Sequence, residues 1–112
     1  GPPPGPGGDA APDPAAAPVT LAPAPPALRL VDRRLVITDY VVRTARCPRV
    51  VSVTVTVGSR RSAFRSLRAR TVDGRCTLSG TVTLAARDRR AKAIKVTVRG
   101  NGRTLASARV KR

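Results

Sequence analysis

The sequence has no histidine, no glutamate, no tryptophan and no methionine, and its aromatic content is Tyr40 and Phe64. Each absence closes off a chemistry. From Leu28 onward the acidic side chains are Asp32, Asp39, Asp73 and Asp88. They stand singly in or near predicted turns, where aspartates bond local backbone amides. General acid-base or nucleophilic catalysis asks for a paired carboxylate, a tuned His or a Lys with a neighbour, so no enzyme is expected. Two thiolates without His or further Cys cannot complete a zinc tetrahedron in one chain. Cys47 and Cys76 are also too far apart for a Cys-x-x-Cys redox motif. No Gly-rich phosphate loop is present, so the expectation is no metal and no cofactor.

Long apolar runs are missing as well. Nothing approaches the roughly 18 apolar residues of a membrane-spanning helix. Neither is there a charged segment followed by an apolar one, as in a signal peptide. The chain opens at Gly1 rather than Met, and we expect a piece of a longer polypeptide, with further domains and any export signal upstream.

Proline and charge are unevenly spread. Ten of the eleven prolines fall within residues 1–27, and no Lys or Arg precedes Arg29. Residues 1–27 therefore read as a disordered Pro/Ala/Gly-rich linker, an extended tether that also has the chemistry of a ligand for aromatic-lined grooves. Residues 28–112 read as one domain. They hold all 22 basic residues against four acidic ones, a net of +18. Such a field attracts nucleic acid, sulfated glycan, anionic cell-wall polymer or acidic headgroups. The basic residues are nineteen Arg and three Lys in a background of Ala, Gly, Pro and Val, a bias that a GC-rich coding sequence also produces.

In VVSVTVTVG (50–58) every second residue from Val51 to Val57 is valine, with Ser52, Thr54 and Thr56 between. That pattern gives a strand with one dry and one wet face. Similar runs recur: LRL (28–30), LVITDYVV (35–42), FRSLRARTV (64–72), CTLSGTVTLA (76–85), AIKVTVRG (93–100) and RTLASARVK (103–111). About seven strands at this spacing predict an all-β, antiparallel sandwich. Asp73-Gly74 and Asn101-Gly102 supply the positive φ of tight hairpins. Absence of a helical period excludes a parallel sheet with crossovers. By parity Cys76 shares the face of Leu78, Val82 and Leu84, and Cys47 that of the odd-numbered valines. The pair suits a disulfide that ties two parts of the fold, or else two reduced, buried small side chains.

The candidate binding residues lie in two basic stretches. SRRSAFRSLRAR (59–70) carries Arg60, Arg61, Arg65, Arg68 and Arg70, and RDRRAKAIK (87–95) carries Arg87, Arg89, Arg90, Lys92 and Lys95. Converging at one end of the domain, they would contact several phosphates at once; spread out, they form a solvated, solubilising surface. Two aromatics give no stacking platform and no recognition helix is predicted, so sequence-specific nucleic-acid binding is not expected. RTLASARVK also offers a terminal strand on which a partner strand can pair.

The Pro/Ala tether, Cys47-Pro48, DGRCTLSGTVTL (73–84) and the closing hairpin IKVTVRGNGRTLASARV together resemble small immunoglobulin-like or fibronectin-type-III-like modules of secreted and surface proteins in high-GC Gram-positive bacteria. The resemblance covers residues 28–112. It departs from antibody domains in having no Trp between the cysteines and no Tyr two residues before the second. It implies an extracellular or cell-envelope accessory domain, a spacer, stalk or adhesion module, and carries over no catalytic residues.

Overall fold

Val51, Val53 and Val55 are buried and Ser52, Thr54 and Thr56 half-buried on the opposite face, so the alternation in the sequence is the alternation of the strand. A computed structural model describes residues 26–112, and the predicted linker falls outside them apart from Pro26 and Ala27. Seven strands follow one another: β1 (Leu28–Val31), β2 (Arg34–Val42), β3 (Val50–Val57), β4 (Arg60–Val72), β5 (Arg75–Thr83), β6 (Ala93–Gly100) and β7 (Arg103–Lys111). The one helical element described is a short 3₁₀ turn, Ala86–Asp88.

All pairings are antiparallel and form one sheet in the order β1-β2-β5-β4-β3-β6-β7. The two layers expected from sequence are thus one continuous sheet that curls on itself. Four hairpins have two-residue turns. Asp73-Gly74 and Asn101-Gly102 lie at positive φ, as their composition predicts. Asp32, before Arg33, and Gly58, before Ser59, take positive φ at the first turn position.

The curl originates in β4. Its first part, Arg60–Arg68, pairs with β3, and its last four residues, Ala69–Val72, pair with β5 instead. A physical reason lies upstream of β3. After Arg49, whose carbonyl accepts the Ala69 N–H, comes Pro48, which has no N–H to offer the next ladder position. Cys47 is bonded to Cys76 on β5, with Cα atoms 5.3 Å apart. At the point of divergence Leu67 lies directly over Gly80 of β5, where any Cβ would meet its Cδ2 at 3.0 Å. Arg65 reaches from β4 to the Thr81 carbonyl, which the departed strand no longer pairs.

The concave side holds a single aliphatic core. Cross-strand partners Val51 and Leu67, Val53 and Val98, Val55 and Val96, Leu35 and Val82, and Val42 and Cys76 all contribute to it. Cys76 is buried and Cys47 packs against the cluster, so both cysteines face the core. The curl brings the two edge strands, β1 and β7, near each other without pairing them.

Candidate anion-binding surface

Chain geometry separates the arginines of 59–70. They lie within a 13-residue strand, β4, and at about 3.3 Å per residue Arg61 and Arg70 stand roughly 30 Å apart. Arg68 and Arg70 line a cleft of about 720 Å³ with Arg49, Val50 and Ala69, where β3 and β4 part. Arg65 sits in register with buried Val53 and donates to the Thr81 carbonyl. At the other end of β4, Arg61 lies on the outer face with its guanidinium 5.7 Å from the Phe64 ring centroid, within cation-π range. Arg60 is ion-paired with Asp88.

Three residues of the second stretch do converge, with partners that the sequence did not single out. Arg89, Arg90 and Lys92 line a cleft of about 590 Å³ together with Asp32 and Arg33 of the β1–β2 turn and Arg112. Here the residue 84–92 loop, the first hairpin turn and the end of β7 meet, and Arg112 fastens them. Its backbone N–H bonds Lys92 O, while its guanidinium donates to Ala91 O (3.0 Å), Arg89 O (2.8 Å) and Asp32 O. Three of five guanidinium N–H groups are thereby used on neutral carbonyls, which leaves the charge uncancelled and two donors free. Arg33 and Arg112 were legible only as a turn residue and an end residue, because nothing local reports that a turn 80 residues upstream meets Arg112.

Asp88 sets the loop's shape. Its N–H and C=O close the 3₁₀ turn through Ala85 O and Ala91 N. Its carboxylate, expected in a turn with local amide partners, is instead buried and turned inward to Arg60. Arg87 Nε lies 3.9 Å from Oδ2, which has no hydrogen-bond partner among the described residues. The neighbouring Ser62 hydroxyl, and then the Arg60 and Arg87 guanidinium groups, hold the Asp88 carboxyl below the ordinary aspartate value against the opposing effect of burial. A carboxylate with a lowered folded-state pKa stabilises the fold above its ordinary pKa, and that contribution is lost as pH falls through the folded value. Asp88→Asn is therefore expected to melt a few degrees lower than the parent at neutral pH. The gap should close in melts taken well below pH ~4; a constant gap would assign the loss to shape rather than charge.

Lys95 belongs to a third group, on the outer face. Register places Arg61 beside Thr56, Thr56 beside Lys95, and Lys95 beside Arg109. A depression of about 180 Å³ lies along this row, lined by Thr56, Gly58, Lys95 and Arg109 among others. The ten candidate cations thus do not form one cluster: Arg60 and Arg61 stand at one end of β4, Arg65 midway and Arg68 and Arg70 at the other, Arg89, Arg90 and Lys92 in the loop cleft, Lys95 in this row, and Arg87 beside Asp88.

Among the described residues, no three His, Cys, Asp or Glu come together as a metal site, and no helix is long and apolar enough to cross a membrane. No family model, no curated protein and no solved structure matches the chain, so the chemistry of this surface has to be argued from its own residues.

Proposed function

We propose that the chain is a non-enzymatic accessory module of the cell envelope or extracellular space, which holds upstream domains of its polypeptide against an anionic polymer. The observation that carries this reading is the cleft in which Arg33, Arg89, Arg90, Lys92 and Arg112 converge with Asp32 as the one acid at the rim. Arg112 is held there by carbonyls rather than a carboxylate. Five cations brought together against one acidic side chain favour a polyanion over a merely solvated surface. The buried carboxylate nearby is engaged by Arg60, and no tuned base accompanies it.

An immunoglobulin-like build is part of the proposal. Lettering β1 to β7 as A to G turns the observed order into A-B-E-D followed by C-F-G, the two sheets of an immunoglobulin constant-type domain. β4 here joins the two sheets by pairing with β3 and with β5. The Cys47–Cys76 bond supports an oxidising compartment.

Fluorescence anisotropy of the whole chain with labelled single-stranded DNA, duplex DNA and heparin, from about 50 to 300 mM salt, tests the reading. Binding at the low end that weakens steeply with salt is expected. No binding to any of the three at about 50 mM would reduce the domain to a spacer.

A further inference from the structure

The outer-face row and the loop cleft are not separate sites, and the geometry points to a single track for a flexible chain of phosphate groups. This inference rests on the polyanion reading above. The row Arg61, Thr56, Lys95, Arg109 crosses four strands, about 14 Å at the usual interstrand spacing. Lys111 stands two residues beyond Arg109 on the same face of the edge strand β7, in register with Ala93. Arg112 follows and is already part of the cleft. Basic side chains, with Thr56 between the first two, thus lead from the outer face, around the end of β7, to Arg33 and the 89–92 loop.

Three features select the ligand. The path turns a corner within a few residues, which a stiff duplex with a persistence length near 150 bp cannot follow over so short a distance, whereas a single flexible chain can. No aromatic side chain lines the cleft or the small depression, so neither offers bases or sugar faces a stacking surface; the exposed Phe64 ring lies off the track, in register with Thr54 and beside the Arg61 guanidinium. The small depression on the track presents the Thr56 hydroxyl together with Lys95 and Arg109, a hydroxyl and two cations suited to a tetrahedral phosphate group. Arg predominates in the cleft, and its planar fork matches phosphate oxygens in pairs. Recognition is therefore of phosphate and of chain flexibility. Polyol phosphate, single-stranded nucleic acid and inorganic polyphosphate share that chemistry.

The full chain is titrated at about 100 mM salt with inorganic polyphosphate, single-stranded DNA, duplex DNA of equal phosphate number and heparin. Polyphosphate and the single strand are expected to bind alike and at least tenfold more tightly than the duplex or heparin. Arg89→Ala/Arg90→Ala/Lys92→Ala should lose at least tenfold. The charge-matched triple at the opposite end, Arg43→Ala/Arg46→Ala/Arg75→Ala, should lose threefold or less. Asp32→Asn removes the acid at the rim, keeps a residue that tolerates positive φ, and should gain two- to fivefold. Duplex or heparin binding as tight as the single strand, equal losses in the two triples, or no gain in Asp32→Asn would each overturn the track while leaving polyanion binding in place. Failure of the parent chain to bind any probe at low salt overturns both.

Discussion

Replacing Cys47 and Cys76 together by alanine is expected to lower the stability of the domain by about 3–4 kcal/mol, the chain-entropy value for a loop closed across 29 residues. In a domain of this size each kcal/mol moves Tm by roughly 4–8 °C, so a fall of about 12–32 °C follows. A total stability of about 5–10 kcal/mol makes that a large share. The loop closed by the bond contains β3 and β4, the segment in which the sheet changes partners. Without the bond, this segment keeps only non-covalent ties: the Asn101 side-chain bond to Arg46 O, the Ala69 N–H bond to Arg49 O and the packing of Cys47 against the core. Melts of the double variant, and of the parent with and without reductant, should show the same loss by both routes. A shift of only a few degrees would mean that β4 makes its change of partner without the tie.

Much of this architecture was legible in the sequence because its signals are local. Alternation assigned Val51, Val53 and Val55 to the core, parity assigned Cys76, and Asp73-Gly74 and Asn101-Gly102 marked hairpins that the backbone forms at positive φ. The limits of β6 and β7 also agree with the pattern. Where interactions between distant segments decide the outcome, the pattern falls short. β4 begins at Arg60 rather than Phe64, because Arg60 and Arg61 pair with Val57 and Thr56 across a bulge that accommodates Ser62. A basic stretch reads as one feature in a line of letters, yet an extended strand draws it out and sends successive side chains to opposite faces. The loop arginines could be recognised as a cluster, while their companions Arg33 and Arg112 come from the two ends of the domain and meet only through its curl.

Leu78→Ala is expected to cost about 2–5 kcal/mol, toward the upper part of that range. Leu78 is fully buried on β5 and stands in register with Tyr40 of β2 on one side and Ala69 of β4 on the other. It therefore marks the position at which β4 docks after leaving β3. The fully buried residues are Leu and Val, and valines, stiff at χ1 and tied to their strands, relax poorly into a cavity. The one neighbouring ring, Tyr40, is half-buried and already packs against the core. Thr83→Ala, at an exposed position of the same strand, should stay within about 0.5 kcal/mol. Urea unfolding distinguishes the possibilities: a lower midpoint with an unchanged slope reports lost packing, whereas a changed slope reports a different degree of unfolding. Cys76 lies two residues away on the same face, so adding Leu78→Ala to the cysteine double variant should depart from additivity. If the single variant lost less than about 1 kcal/mol, well below the usual cost of such a truncation, the sheet would have to be held together elsewhere than at this junction.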